Sequence, residues 1–106
     1  MRLITAPAFV ATKFEAFWDR GHGDLLGSHD LEDIINVVDG RLNLGTDVAA
    51  AAPQLRQYLA AQCRILLAMP GFMNALPGMV FPDESLAGRV KLLAQRIEQL
   101  SKLDYA

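Results

Sequence analysis

The chain has 106 residues, of which 52% are hydrophobic and 21% are charged, and its formal net charge is -2 at pH 7. This length suits one small domain with a single core, so we expect one helical domain over residues 1–106. The charge balance argues against non-specific binding of nucleic acid, and the hydrophobic content argues against a disordered chain. Neither a signal peptide nor an apolar run of membrane-spanning length is present, and a cytoplasmic protein without a membrane partner is therefore expected.

Two helices are predicted in the first 40 residues. After the stretch RLIT, which is compatible with a short strand, the first helix runs from about Pro7 to Arg20, with Thr5 as its capping hydroxyl. Ser28 is suited to cap the second helix, and Gly40 is suited to stop it. Apolar residues recur at helical spacing in both, and they are Phe9, Val10, Phe14, Phe17, Trp18, Leu31, Ile34, Ile35 and Val38. The aromatic residues among them favour a helix packed in a core over a platform for base stacking.

The next segment is predicted to contain one long helix between shorter elements. Thr46 or Asp47 is expected to cap an alanine-rich turn, and a long helix follows from Pro53 to about Met69. A short helical turn is expected around 72–76, with the stretch PGMVFP as a loop after it.

The last helix is predicted from near Asp83 to about Leu103. Its apolar residues follow a heptad pattern, and they are Leu86, Val90, Leu93, Ile97 and Leu100. Two heptads do not distinguish a helix packed within the chain from a dimer seam. The whole pattern predicts an all-α fold, a small helical bundle of about four to five helices with a possible short N-terminal strand.

Residues able to bind metal are few. Cys63 is the only cysteine and lies in an apolar helical pattern, which predicts a buried thiol and excludes a cysteine-based metal site within one chain. His22, His29 and Asp24 flank a glycine-rich turn, but their spacing favours loop and capping roles over a closed metal site. We therefore expect no metal site and no cofactor.

One charged cluster is predicted between the first two helices. Lys13 and Arg20 are seven residues apart and share a helical face, as Asp30 and Asp33 do on the next helix. If the two helices form an antiparallel hairpin, the two cations oppose the two carboxylates. The cations are candidates for contact with a phosphate and the carboxylates for positioning them, whereas the spacing alone favours a structural network of ion pairs.

The stretch ITAPAFVATKFEAFWDRGHGDLLGSHDLEDIINVVDGR resembles the helical region downstream of the catalytic core in nucleotidyltransferases of the AbiEii toxin type. The similarity lies in a lysine within ATKFEA, an arginine after it, and the helix that begins with HDLED. The resemblance implies that Lys13 contacts nucleotide phosphates, with Arg20, Asp30 and Asp33 at the accompanying charged positions. The Gly-Ser turn and the paired aspartates that bind catalytic metal ions in this family do not precede the matching stretch, so no catalytic residue is expected.

Two interpretations follow for function. In the first, the chain is the non-catalytic helical half of a nucleotidyltransferase-like protein, without turnover on its own, and a separately encoded catalytic half completes it. In the second, it is a stand-alone interaction module, a homodimer whose charged hairpin is only structural. Self-association is expected in either case, because the first and last helices each carry a long apolar stripe that one small domain has limited room to bury.

Overall fold

The computed structural model describes residues 5–20, 24, 25, 27–80 and 86–105. Six α-helices lie in this part of the chain: α1 (Ala6–Asp19), α2 (His29–Gly40), α3 (Leu44–Ala49), α4 (Pro53–Ala68), α5 (Phe72–Ala75) and α6 (Leu86–Leu100). Two 3₁₀ helices follow α5 and α6, at Leu76–Met79 and Leu103–Tyr105. The described residues contain no strand, and the all-α helical bundle is confirmed. Residues 2–4 of the expected strand lie outside the described residues.

The first two helices begin where their caps predict. The side chain of Thr5 accepts a hydrogen bond from the backbone N–H of Ala8, and that of Ser28 accepts one from Leu31. Each hydroxyl thereby satisfies one of the backbone N–H groups that a helix leaves without a partner at its start. Gly40 is the last residue of α2, so its predicted role as the stop agrees to within one residue.

Two local predictions are wrong or incomplete. Neither Thr46 nor Asp47 caps α3, because this helix starts at Leu44. Asp47 instead forms an ion pair with Arg41, with Asp47 Oδ2 2.7 Å from Arg41 Nε. The earlier start places Leu44 and Val48 one turn apart on the buried side. Of the stretch PGMVFP, expected to form a loop, the first three residues belong to a 3₁₀ helix over Leu76–Met79, and the last two lie outside the described residues. Leu76 at the start of this 3₁₀ helix is completely buried.

The last helix is shorter at its end than predicted. It ends at Leu100, and a 3₁₀ helix over Leu103–Tyr105 takes the place of its expected final turn. The predicted start near Asp83 lies outside the described residues. The six helices of the described residues exceed the predicted four to five because the expected alanine-rich turn forms a helix, α3, whereas α5 agrees with the short helical turn expected around 72–76.

All the long helices contribute to one core. In it α1 packs on α2 and α4, and α6 packs on α4 and α2. The completely buried or almost completely buried large side chains are Phe14, Phe17, Leu31, Ile34, Ile35, Val48, Leu66, Phe72, Leu76, Leu93 and Ile97. The core therefore buries most of the described apolar residues of α1 and α6 and leaves Phe9, Trp18 and Val90 partly buried, so the apolar stripes of these helices give little support to self-association.

Within the described residues, no single helix is long and apolar enough to cross a membrane. Taken together, α4 and the segment Phe72–Met79, which are bent by 87° relative to each other, meet that criterion by length and composition.

Candidate functional site

The predicted charged cluster forms where α1 ends and α2 begins. Arg20 is the residue that ends α1, and Lys13 lies two turns earlier on the same side of the helix. The cap at Ser28 starts α2 so that Asp30 falls in its first turn, where the helix dipole stabilises a carboxylate. The end of one helix thus faces the start of the next, and the two helices run antiparallel.

Four side chains meet in this cluster. Lys13 Nζ lies 2.9 Å from Asp33 Oδ2 and 3.5 Å from Asp30 Oδ1. Arg20 Nη2 lies 3.2 Å from Asp30 Oδ1 and 3.4 Å from Asp30 Oδ2. The prediction that these cations meet these carboxylates is confirmed, and Asp30 is the residue that both cations share.

Exposure differs strongly among the four side chains. Asp30 is 15% exposed and Lys13 25%, whereas Asp33 is 43% exposed and Arg20 71%. Asp30 therefore forms the base of the cluster, and Arg20 extends from it into solvent. In the part of the chain that the structure describes, Arg20 donates through Nη2 alone, which leaves the rest of its guanidinium group accessible.

The neighbours of Lys13 stabilise its charged form. The hydrogen bond from Lys13 to Asp33 raises the pKa of the ammonium group above its usual value, and the charges of Asp33 and Asp30 act in the same direction, against a smaller opposing effect of burial. Its Nζ also lies 5.5 Å from the centre of the Phe9 ring, at a distance suited to a cation–π contact. Sequence reasoning did not identify Phe9 as a neighbour of this site, since helical periodicity assigned it only to the core stripe.

His29 and Asp24, the described residues among those considered for a metal site, do not belong to a metal-binding group. His29 is an exposed residue at the start of α2 and lies 3.4 Å from Glu32 on the same helix. Among the described residues, no group of three or more His, Cys, Asp or Glu side chains is placed to hold a metal ion. His22 lies outside the described residues. Asp24 covers Gly27 so closely that a Cβ atom at residue 27 would lie 2.5 Å from Asp24 Oδ2.

The aromatic residues of α1 belong to the core, as predicted. Phe14 and Phe17 are completely buried, and Trp18 packs on the Phe17 ring with a centroid distance of 4.7 Å. The indole N–H of Trp18 donates to the side chain of Gln62 on α4. This partner satisfies the polar edge of a ring whose remainder is partly buried.

Comparison with known proteins gives no assignment. No family model, no curated protein and no solved structure matches the chain. The resemblance to AbiEii-type nucleotidyltransferases therefore stays a prediction.

Proposed function

We propose that this chain is the non-catalytic helical half of a nucleotidyltransferase-like protein, in which Lys13 and Arg20 contact nucleotide phosphates. The observation that supports this best is the convergence of both cations on Asp30. One shared carboxylate holds an ammonium and a guanidinium group side by side, and a phosphate chain offers several oxygens to such a pair. Asp33 and Asp30 position the cations, and a separately encoded half supplies the catalytic metal ligands.

The chemistry of the two cations suits this role. Arg20 presents a planar fork of donors toward solvent, the geometry that phosphate oxygens match in pairs. Lys13 is a point charge near the Phe9 ring, and its hydrogen bond to Asp33 stabilises the charged form. Because Asp30 and Asp33 already restrain the two cations, the cations would lose less conformational entropy when they bind a phosphate.

Titration calorimetry with each nucleoside triphosphate in magnesium tests the proposal. We expect weak binding that falls at least about tenfold in the double variant Lys13→Met, Arg20→Gln, because each lost charge-assisted hydrogen bond contributes more than a kilocalorie per mole. Inorganic triphosphate should compete, since the proposed contact is with phosphates. Arg64→Gln is the matched control. Arg64 also pairs with an aspartate, Asp104, at 2.7 Å, but it lies on α4 and is not part of the charged cluster.

Two results would overturn this proposal. One is the absence of nucleotide binding by the unmodified chain, both alone and with any catalytic half encoded beside it. The other is binding that the double variant leaves unchanged or that Arg64→Gln weakens equally.

A stand-alone interaction module, a homodimer without a nucleotide role, is the second candidate. The observation that favours it is that both cations already have carboxylate partners, as a structural network of ion pairs requires. In that case the double variant changes only stability, and the calorimetric experiment distinguishes the two candidates.

A further inference from the structure

A groove lies at the end of α2 that is opposite to the charged cluster. It has a volume of about 690 Å³ and is formed by the end of α2, by α3, and by the end of α6 with the residues that follow it. Its floor includes the buried residues Val38, Leu44 and Leu100, and Leu42, which is 81% exposed, lies on its rim. A volume of this size and a largely apolar floor are typical of sites that bind small molecules.

The charged side chains that line the groove are all basic. They are Arg41, Arg96 and Lys102. Two of them are balanced by carboxylates that are not part of the lining. Arg41 pairs with Asp47 at 2.7 Å. Lys102 pairs with Glu98 at 3.3 Å. Arg96 differs from both, because it forms no ion pair with any carboxylate of the described residues.

One edge of the Arg96 guanidinium group has no partner among the described residues. Nη1 donates to the carbonyl oxygens of Val38 at 3.1 Å and of Asp39 at 2.8 Å, which uses both of its N–H bonds. The carboxylate of Asp39 is held by Arg89 instead. Nε and Nη2 of Arg96 donate to no atom in the part of the chain that the structure describes. These two nitrogens form an edge that can donate to both oxygens of one carboxylate.

The position of Arg96 suits the recognition of an anion. Its side chain is half-buried and is already fixed by the two carbonyl oxygens, so little conformational entropy is lost when a ligand binds to it. Partial burial also strengthens a charge-assisted hydrogen bond relative to one in bulk water. The groove therefore combines an apolar floor with one cation that lacks a counter-charge.

We propose that this groove binds a monocarboxylate with an extended hydrocarbon chain, such as a medium-chain fatty acid. The carboxylate accepts hydrogen bonds from Nε and Nη2 of Arg96, and the hydrocarbon chain lies on the apolar floor and covers part of Leu42. One guanidinium group without a counter-charge balances one negative charge. This favours a carboxylate over a phosphate monoester, which carries nearly two negative charges at neutral pH.

The first test is titration calorimetry of the unmodified chain with octanoate, decanoate and dodecanoate below their micelle concentrations. We expect affinity to rise by up to about fourfold for each added methylene, because each methylene buried on the floor adds to the binding free energy. Acetate should not bind measurably. Octanol should bind at least about tenfold more weakly than octanoate, since it lacks the charge-assisted hydrogen bonds to Arg96.

The second test removes the cation. Arg96→Gln should weaken the binding of octanoate at least about tenfold and change that of octanol by less than about twofold, because only the charged contact is lost. If Arg96 only maintained the shape of the groove, both ligands would be weakened equally. Lys91→Gln is the matched control, since it removes one exposed positive charge from the same helix but outside the lining. Salt screens such a charge, so octanoate binding should stay within about twofold.

The third test leaves Arg96 in place and fills the groove. A Cβ atom at Gly45, which is part of the lining, would meet no atom within 4 Å, so the indole of Gly45→Trp can occupy the space without displacing the backbone. We expect this variant to keep its helical circular dichroism and to lose the binding of both octanoate and octanol.

Four outcomes would overturn the proposal. The first is no binding of decanoate or dodecanoate by the unmodified chain. The second is equal affinity for octanoate and octanol, or equal weakening of both by Arg96→Gln. The third is tighter binding of decyl phosphate than of decanoate, which would assign the groove to phosphate esters. The fourth is a dimer that Gly45→Trp dissociates and decanoate does not, which would assign it to a second copy. Because the groove and the charged cluster lie at opposite ends of α2, each of these results leaves the nucleotide-binding proposal untouched.

Discussion

At the scale of single residues, Cys63 shows how burial changes an ionisable group. It lies in α4 with 4% of its surface exposed, and burial raises the pKa of its thiol to about 12. The thiolate is the nucleophilic form, so this cysteine is inert at neutral pH. The apolar pattern around Cys63 predicted a buried thiol, and that prediction is confirmed.

The raised pKa of Cys63 predicts a loss of stability in alkali. Above about pH 9 the unfolded thiol loses its proton while the folded thiol keeps it, so the free energy of unfolding falls by up to about 1.4 kcal/mol per pH unit until the folded pKa is reached. Urea unfolding at a series of pH values from 8 to 11 should show this slope. In Cys63→Ala the slope should be smaller by this contribution, and equal slopes in the two proteins would contradict the prediction. Lys13 and Tyr58, whose pKa values are also raised, are present in both proteins and cancel in the difference.

The charged cluster was predictable because it depends on local spacing. Residues seven apart on α1 and three apart on α2 share a helical face, and a short connection brings the two faces together. Spacing does not show which carboxylate is shared or which cation extends into solvent. Those details depend on packing, which covers Asp30 and leaves Arg20 exposed.

At the scale of elements, the end of α2 depends on a partner far along the chain. The last carbonyl groups of a helix lack partners within it. In α2 the carbonyl oxygens of Val38 and Asp39 accept hydrogen bonds from Arg96, 58 and 57 residues away. No local capping signal could have predicted this contact.

Replacement of Arg96 tests the importance of this contact. Arg96→Met keeps most of the apolar part of the side chain but removes both hydrogen bonds, and we expect a loss of about 1 to 3 kcal/mol in the free energy of unfolding. Chemical denaturation at low protein concentration measures it. As a control, Lys102→Met removes only a solvent-exposed ion pair with Glu98 and should cost less than about 0.5 kcal/mol. Equal effects of the two changes would show that the contact of Arg96 with α2 contributes nothing specific.

At the scale of the whole molecule, the packing of the core determines which side chains remain on the surface. In α1 and α6 the buried apolar residues Phe14, Phe17, Leu93 and Ile97 face the core of the same chain. The surface keeps the charged cluster at one end of α2 and, at the other end, a groove whose lining includes Val38, Leu44 and Leu100.

The chain alone is expected not to catalyse nucleotidyl transfer. Transfer of a phosphoryl group requires metal ions or a comparable cluster of charge to stabilise the transition state. Asp30 and Asp33 are occupied by Lys13 and Arg20, and a bound phosphate without that stabilisation gives binding but no turnover. Incubation of the purified chain with each nucleoside triphosphate, magnesium or manganese, and RNA or protein acceptors should transfer no label. Label transfer that is lost in Asp30→Ala or Asp33→Ala would contradict this expectation.

The sequence by itself determined the helices with strong periodicity and clear caps, together with the pairing of Lys13 and Arg20 with Asp30 and Asp33. These features depend on residues close together along the chain, where helical geometry relates spacing to position. Only the tertiary structure decided the start of α3, the tie between Arg96 and α2, and the groove beside Leu42. These features depend on which segments, distant along the chain, pack together and exclude water. The spacing of residues within one helix does not specify that packing.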